Sequence, residues 1–485
     1  MQIILRPAYS PVLLNCMECI GTSFGTDNTS SKLKNGTKSP IIRTGPNELS
    51  INDPSFYNTL YAANYKFAPY PPHYAFSGSV DFTASITDPA THKDRRAILN
   101  RFFSKAKILR LSSTIQNNVR EFVRVISEST DGKTSESGLC LSSLFRRLTL
   151  DVISEYAFSE SFNTLGHGID SPIAEGIKRS IRHLWVFNFI WPLQYLATKL
   201  PYGIASMLAP RNLSGAIDLQ KIVGAEVDGF LKNFKAPKGR RVPEKSNHLT
   251  IFQSLVEETA SGFELKSISS PKLSREFLVG EAILLLGAGM ETTATLLSNV
   301  VYQACVNQSI QHNLHDELVK AFPSTDLNAI DYTSCENLPY LTACIKEGLR
   351  LTPSVPVSIP RVVPKDGTFC GKTYIPPGTV VSMSIYLMHQ NPTVYKNLKV
   401  FDPDRWLNVS TTSPQERYFV PFSKGSKSCL GIYLAYAEIY VTLAALMRRF
   451  KFTLHKDNKL TENWVDHMVL DTLADLVVSV EEYDD

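Results

Sequence analysis

The chain has 485 residues, 43% of them apolar, which allows one large globular domain or several ordinary ones. Its formal net charge of +4 is too small to indicate a nucleic-acid partner. The eight cysteines are scattered without the spacing of a disulfide framework, which favours a reducing compartment.

The first 39 residues are not expected to belong to the core. MQIILRPAYSPVLLNCMECIG is interrupted by charges and prolines, so it is a poor membrane anchor and a poor secretory signal. Residues 22–39 are polar and are predicted to be loose. Cys16 and Cys19 have CxxC spacing, but no second pair follows them. We expect residues 1–39 to be a dispensable segment before a domain over residues 40–485.

Two strands, a long loop and then helices are predicted after this segment. IIRTGPNELSIND predicts a short strand, a turn and a second strand. Residues 61–90 are rich in Tyr, Phe, Pro and Gly and predict a long ordered loop, which often carries function. Helices are predicted over residues 92–115 and 141–158.

The most apolar stretches lie in the middle of the chain. Residues 186–208 are apolar but broken by prolines, and they suit a core element, a substrate entrance or a membrane-dipping surface. A long helix is predicted near residues 273–307, and because it is apolar nearly all round it is expected to cross the interior. A further helix is predicted over 340–351, and strands around a Pro-Pro-Gly turn over 369–388. The fold class is therefore mainly α with a small β-rich portion.

A polar stretch interrupts the long helix. Ala288-Gly-Met-Glu-Thr-Thr293 places a glycine, a carboxylate and a hydroxyl among apolar residues, where each is costly. In the structural interpretation, Thr292 bonds back to a carbonyl one turn earlier and Glu291 finds an ion partner. In the functional interpretation, the helix opens locally and the two side chains relay protons.

Two further charged stretches also allow both a structural and a functional interpretation. Glu347 and Arg350 are three residues apart on one helix face, which by itself predicts only a weak surface pair. Arg405 in FDPDRW is a candidate third member of that group. The run from His92 to Arg96 places positive charge at the unfavourable end of a helix, so it is either a solvated face or a site for an anion or an acidic partner.

A single cysteine stands between glycines in PFSKGSKSCLGIYLAYAE, residues 421–438. The apolar spacing after Cys429 predicts a helix that begins at or just after it, where the helix dipole favours a thiolate. Such a thiolate suits a nucleophile, a redox group or a metal ligand. Residues of the stretch alone do not distinguish these roles.

Together, these motifs resemble those of the haem-thiolate monooxygenases, the cytochrome P450 family. The cysteine loop F-x-x-G-x-[R/H]-x-C-x-G of that family is matched by residues 422–431. Its helix motif [A/G]-G-x-[D/E]-T-[T/S] is matched by residues 288–293, and its E-x-x-R by Glu347 and Arg350, with Arg405 as the expected third member. The resemblance covers all but the first 39 residues. The sequence is also similar to fungal members that oxidise terpenes, such as trichodiene oxygenases.

The resemblance implies haem b, iron protoporphyrin IX, with Cys429 as its axial thiolate ligand. Phe422 would shield the cysteine loop, and Gly425 and Gly431 would let the loop and helix approach the porphyrin. The haem propionates would be held by four basic side chains: His92, Arg96, Arg361 and Lys427. Two of these depart from the usual pattern, since Lys427 stands where arginine or histidine is usual and His92 where tryptophan is common. Lysine keeps the charge but lacks the planar fork of arginine.

The resemblance also implies hydroxylation or epoxidation of an apolar small molecule, a terpenoid or other fungal secondary metabolite, with O2. Glu291 and Thr292 would deliver the protons. The implied electron donor is a separate NADPH–cytochrome P450 reductase, and the implied location is the cytosolic face of the endoplasmic reticulum membrane, with surface contact through residues 186–208. The substrate would lie against the 61–90 loop and four further side chains: Ala288, Val355, Val357 and Val469.

Three alternatives remain open at this point. An oxygen-independent haem-thiolate isomerase or dehydratase would share the fold, but such relatives often lack the acid–alcohol pair found at Glu291 and Thr292. A non-catalytic haem carrier or sensor needs neither that pair nor a long apolar entrance. A haem-free enzyme with Cys429 as nucleophile would need a histidine base, and none lies near it in the sequence.

Overall fold

Helices form most of the described chain, and short strands gather in small sheets, as the sequence predicts. The computed structural model describes residues 40–74, 82–130, 138–158, 160–166, 172–181, 214–234, 250–260 and 274–483. The predictions for residues 1–39 and for 186–208 lie outside the described residues.

The elements are numbered in chain order. The helices are α1 Pro54–Leu60, α2 Pro71–Tyr74, α3 Pro89–Asn100, α4 Lys105–Arg110, α5 Ser112–Thr130, α6 Leu141–Phe158, α7 Pro172–Ile181, α8 Ser214–Phe234, α9 Ile251–Ala260, α10 Arg275–Val306, α11 Gln308–Ala321, α12 Tyr332–Cys335, α13 Pro339–Leu351, α14 Ile385–His389, α15 Pro414–Arg417 and α16 Ile432–Arg449. The strands are β1 Ile41–Gly45, β2 Glu48–Ile51, β3 Ala68–Pro69, β4 Leu139–Cys140, β5 Arg361–Val362, β6 Thr368–Cys370, β7 Thr373–Ile375, β8 Val380–Ser382, β9 Phe450–Leu454, β10 Val465–Asp466, β11 Leu470–Asp471 and β12 Val477–Glu482.

The largest sheet has the strand order β1-β2-β8-β5-β3. β1 and β2 are the two predicted strands; they pair antiparallel, with Ile41 opposite Ile51, and β2 runs parallel to β8. The predicted Pro-Pro-Gly turn joins β7 to β8, with Gly378 at a φ of +76°. Arg361 at the start of β5 lies opposite Pro69 of β3 and Val381 of β8, so this sheet fixes the backbone of one predicted site residue.

Helix α10 is the central element of the core. Its predicted extent of 273–307 is confirmed within two residues. The helix begins at Arg275 because Ser274 caps the first turn by accepting a hydrogen bond from the backbone N–H of Phe277 at 3.2 Å. The helix packs against α6, α8, α13 and α16. Its length and apolar composition would allow it to cross a membrane, but 67% of its most apolar window is buried inside the protein. It is a core helix, as its apolar faces predict.

The predicted helix over 92–115 is wrong in its bounds, since the structure has the separate helices α3, α4 and α5 there. The chain turns after α3, and the extended backbone of Ser104, with a ψ of 150°, separates α3 from α4. Helix α3 also begins earlier than expected. Asp88 caps it by accepting a hydrogen bond from Thr91 N–H at 2.8 Å, so His92 lies past the positive first turn.

Candidate active site

The predicted cysteine loop is closed by its own backbone. The N–H of Cys429 donates to the carbonyl of Phe422 at 2.9 Å, and that of Ser428 donates to Gly425 at 3.1 Å. The Phe422 ring packs edge-on against Tyr436 of α16, with ring centroids 5.1 Å apart. Since α16 begins at Ile432, these contacts hold the cysteine just before a helix N-terminus.

The Cys429 thiol differs from the other described cysteines, because it alone among them is exposed. Its side chain is accessible, yet enough protein surrounds it for burial to raise the pKa of the thiol. The backbone N–H of Gly431 and the Arg96 guanidinium act in the opposite direction and lower that pKa. Positive charge and N–H groups at the sulfur are what a thiolate ligand needs.

Gly425 of the cysteine loop lies very close to the backbone at the end of α1, and only glycine fits at this position. Gly425 has a φ of +76°, and a Cβ at this position would lie 2.2 Å from the carbonyl oxygen of Tyr61. We therefore expect Gly425→Ala to lower the free energy of unfolding by about 3 kcal/mol or more. The measurement is the midpoint of urea unfolding, followed by circular dichroism.

Gly371 provides the matched control for that substitution. It also has a positive φ, +57°, but no atom lies within 4 Å of its would-be Cβ. Gly371→Ala should therefore cost only the backbone strain, about 1 kcal/mol. Equal losses in the two variants would contradict the close approach of Gly425 to Tyr61.

Four basic side chains predicted to bind propionates are brought together by the fold. Burial, followed by the charges of Lys427, Arg96 and Arg361, lowers the pKa of His92 to about 3. Burial and the charges of Arg361 and Arg96 lower the pKa of Lys427 to about 7. Within the described ranges, no carboxylate pairs with Arg96, Arg361 or Lys427. Mutually repelling cations without an acidic partner form a site for an anion.

Neutral groups from the 61–90 loop complete this cluster. Lys427 Nζ donates to the carbonyl of Ala84 at 3.0 Å and lies 4.9 Å from the centre of the Tyr74 ring. Arg361 donates to the Tyr74 hydroxyl at 2.9 Å. Arg96 reaches Ser428 Oγ at only 3.5 Å, so its guanidinium is weakly held by the protein. The loop was expected to carry function, and these contacts place it beside the cysteine loop.

Glu347 lies in a buried network with both predicted arginines. Arg350 donates to its two carboxylate oxygens at 2.8 Å each, and Arg405 Nε donates to Oε1 at 3.0 Å. The indole N–H of Trp406 and the backbone N–H of Asp402 donate to the same carboxylate at 2.9 and 3.0 Å. The Glu347 and Arg350 side chains have no exposed surface, so the surface-pair interpretation of these two residues does not apply.

The Glu291 and Thr292 side chains of α10 form the hydrogen bonds expected in the structural interpretation. Thr292 Oγ1 donates to the carbonyl of Ala288 at 2.7 Å. Glu291 is held by Arg146 of α6, whose Nε lies 2.9 Å from Oε2, and Arg146 also pairs with Asp475 at 2.7 Å. Ala288 is nevertheless exposed in the middle of this core helix, which indicates an open space on that side.

A hydrogen-bonded connection joins this turn to the segments predicted to contact the substrate. Ser354 Oγ donates to the carbonyl of Thr292 at 2.8 Å, and the N–H of Leu470 donates to the carbonyl of Ser354 at 2.9 Å. Val355 and Val469 follow and precede these residues and are half-buried, whereas Val357 is buried. The connection brings two segments distant in sequence, those of Ser354 and Leu470, to the Thr292 turn of α10.

Several residues of this region carry no signal in the sequence alone. Arg146 and Ser354 act through partners 145 and 62 positions away, and no local pattern connects such distant residues. Tyr65 and Tyr74 lie in the loop expected to be functional, but its weak periodicity singled out none of its tyrosines. Only the aromatic enrichment of that loop was available as a signal.

The described residues fit the haem that the resemblance implies. Haem b needs an axial ligand, cations for its two carboxylates and apolar surface on its faces. Here the accessible Cys429 thiol would hold the iron, and the basic cluster of His92, Arg96, Arg361 and Lys427 would hold the carboxylates. No atom lies within 4 Å of a Cβ built at Gly431, which leaves room beside the thiol. The fold and the site therefore define a haem-thiolate protein.

Comparison with known proteins gives the family. The sequence profile of cytochrome P450 matches residues 51–475, and the chain therefore belongs to the cytochrome P450 family. It is a monooxygenase of that family, with haem b and a cysteine thiolate as its cofactor and ligand. The crystal structure of the cytochrome P450DA haem domain has the same fold, with a TM-score of 0.70 at 18% identity over 92% of this chain and 90% of that one.

Several curated relatives come from fungi. The cytochrome P450 monooxygenase claJ of Penicillium crustosum is 32% identical, covering 86% of this chain and 92% of the relative. The tryptophan 6-hydroxylase fscE of Fusarium equiseti is 33% identical, covering 87% and 79%. The N-acetyltryptophan 6-hydroxylase ivoC of Emericella nidulans is 29% identical, covering 92% and 85%. Two of these relatives are named for different substrates and the third for none, so the comparison leads to the reaction class and not to one compound.

Proposed function

We propose that this cytochrome P450 hydroxylates or epoxidises an apolar fungal secondary metabolite, a terpenoid or an indole compound, with electrons from an NADPH-dependent flavoprotein reductase. The observation that carries the proposal is the connection from the carbonyl of Thr292 through Ser354 to Leu470. It joins the turn of α10 that carries Glu291 and Thr292 to apolar segments suited to contact with a substrate. A haem carrier or sensor has no need for that arrangement.

Bound haem supplies the binding and activation of O2 and the oxidation of the substrate. The protein residues supply protons and position. Thr292 donates its hydroxyl hydrogen to Ala288, so the lone pairs of Oγ1 remain available to accept a hydrogen bond from a water molecule that carries a proton. Glu291 is paired with Arg146, and in this proposal it moves a proton only when that pair opens.

The substrate class follows from the apolar side chains near this turn. Ala288, Val355 and Val469 offer apolar surface, and the nearby carboxylates of Glu291 and Asp475 are both paired with Arg146. Two of the relatives are named for hydroxylation of an indole ring, that of tryptophan or of N-acetyltryptophan. Terpenoids and indoles share the property that this surface selects, an apolar carbon frame.

The proposal includes an acidic reductase and a membrane location. Lys93 and Arg101 are exposed on or just after α3, the helix that also carries Arg96 of the basic cluster. An acidic flavoprotein surface would be attracted to that face. We propose the cytosolic face of the endoplasmic reticulum as the location, on the basis of the apolar composition of residues 186–208.

The test is oxygen transfer from isotopically labelled O2. The holoenzyme would be combined with a fungal NADPH–cytochrome P450 reductase and offered a panel of sesquiterpenes and N-acyl tryptophans. We expect a product that contains one labelled oxygen atom and depends on NADPH. Thr292→Val is expected to lower the yield of product per NADPH about tenfold or more, with the electrons diverted to hydrogen peroxide.

Thr292→Ser is the matched control, because it keeps the hydroxyl and should retain most of the coupling between NADPH use and product. Rearrangement of a lipid hydroperoxide without O2 or NADPH would instead favour the isomerase alternative. A holoenzyme that binds haem but turns over none of these classes would contradict the proposed substrate range.

A further inference from the structure

The neutral histidine of the basic cluster is held by a tyrosine from another part of the chain. The hydroxyl of Tyr65 lies 2.6 Å from Nδ1 of His92, although the two residues are 27 positions apart. His92 is only 1% exposed, and the two rings meet edge to face with centroids 6.1 Å apart. Tyr65 has a φ of +53°, an unusual conformation for a residue with a side chain. The loop therefore places this hydroxyl at the imidazole despite a backbone cost.

His92 carries a single ring proton in this environment. Burial and the surrounding charges of Lys427, Arg96 and Arg361 lower the pKa of His92 to about 3, so the imidazole is neutral at physiological pH. A neutral imidazole has one N–H and one nitrogen lone pair, and which nitrogen carries the proton is set by hydrogen-bond partners. In the described part of the chain, Nδ1 bonds to Tyr65 and Nε2 has no hydrogen-bond partner.

The two tautomers of His92 have opposite effects on a carboxylate bound by the basic cluster. If Nδ1 carried the proton, Nε2 would present a lone pair to any carboxylate bound by the cluster and would repel it. If Tyr65 donates its O–H to Nδ1, the proton lies on Nε2, which can then donate to the carboxylate. The second direction is also the chemically stronger bond, since a phenol is a better donor than a neutral imidazole and an imine nitrogen is a better acceptor than a phenol oxygen.

We infer that Tyr65 is a positioning residue that fixes His92 as its Nε2–H tautomer, so that the imidazole donates a hydrogen bond to a haem carboxylate. The inference rests on the haem site described above. The N–H of an indole ring cannot change places. Histidine gains the same property only with a partner at Nδ1, and Tyr65 supplies that partner.

The direct test is the protonation state of the His92 ring in the holoenzyme. Protein labelled with nitrogen-15 histidine would be reduced and bound to carbon monoxide, which makes the iron diamagnetic. The His92 signals would be identified by their loss in His92→Gln. We expect a protonated Nε2 and an unprotonated Nδ1 in the wild type, and a mixture of tautomers in Tyr65→Phe.

The functional test is the rate of haem transfer to an excess of apomyoglobin. Tyr65→Phe removes only the hydroxyl and should accelerate haem loss about 3- to 10-fold. Tyr395→Phe is the matched control, because it loses one hydroxyl hydrogen bond, to the carbonyl of Gln415 at 3.0 Å, away from the cluster. In a His92→Trp background, Tyr65→Phe should have no further effect, since an indole has no tautomer to fix.

Several results would overturn the inference. A holoenzyme whose His92 carries its proton on Nδ1 would contradict it and would leave the proposed function untouched. The same would be true if Tyr65→Phe accelerated haem loss equally in the wild-type and His92→Trp backgrounds, which would indicate a merely structural role for Tyr65. A chain that forms no carbon monoxide complex would contradict the haem assignment itself, and the inference with it.

Discussion

Replacing Cys429 by serine is expected to abolish thiolate-ligated haem. The reduced wild-type protein bound to carbon monoxide should show the far-red Soret band of thiolate ligation, and the variant should show none above background. A serine hydroxyl stays protonated in this environment and donates far less electron density to iron than a thiolate. Turnover should fall more than about 100-fold for the same reason. The measurement is the carbon monoxide difference spectrum, recorded at equal haem concentrations.

Cys140→Ser is the matched control for this variant. Cys140 is a free, half-buried cysteine on β4, away from the cysteine loop, and its replacement should leave the far-red band intact. If Cys429→Ser kept the band, another cysteine would be the ligand. If the wild type itself absorbed at the shorter wavelength of imidazole-ligated haem, the thiolate would be protonated or displaced, despite the N–H of Gly431 and the guanidinium of Arg96 beside it.

Glu347→Gln is expected to cost about 3–5 kcal/mol of folding free energy. The carboxylate of Glu347 accepts hydrogen bonds from Arg350, Arg405 and Trp406, and its side chain has no exposed surface. Glutamine keeps the shape but loses the charge, so the buried Arg350 guanidinium is left without a counter-charge and Arg405 keeps only Asp402, at 3.7 Å. Its amide also turns an N–H₂ group toward donors. The loss should appear as a lower midpoint of urea unfolding.

Glu121→Gln tests whether burial is the cause. Glu121 pairs with Arg124 at the same three-residue spacing as Glu347 with Arg350, but the Arg124 side chain is half exposed. Its loss should cost less than about 1 kcal/mol, because water already screens that pair. Similar unfolding midpoints in the two variants would contradict the buried network as a source of stability.

Local patterns predicted the helices and the cysteine loop well. The predicted extent of α6 agrees with the structure at both ends, since apolar spacing and strong helix formers act within a few residues. The break between α3 and α4 was missed: the extended backbone of Ser104 separates the two helices, and Phe102 and Phe103 just before it pack into the core. Such tertiary demands leave no local signature.

The closure of the cysteine loop was predictable because one short motif contains all of its residues. The cysteine loop closes within eight residues, from Phe422 to Cys429, and its glycines were visible in the sequence. The partner of Glu291 was anticipated only as some cation, because Arg146 lies on a different helix. The hydroxyl of Tyr65 reaches His92 through a loop with no periodic pattern, so only the folded chain could pair them.

The connection from Thr292 through Ser354 to Leu470 has a consequence for how such enzymes diversify. Its acceptors are the carbonyls of Thr292 and Ser354 and one donor is the N–H of Leu470, so the backbone supplies every partner except the Ser354 hydroxyl. The side chains of Val355 and Val469 can therefore be exchanged without removing a bond that holds the three segments together. A combinatorial library at these two positions, with Ser354 kept constant, should yield folded enzymes with new substrate preferences more often than one that also varies Ser354.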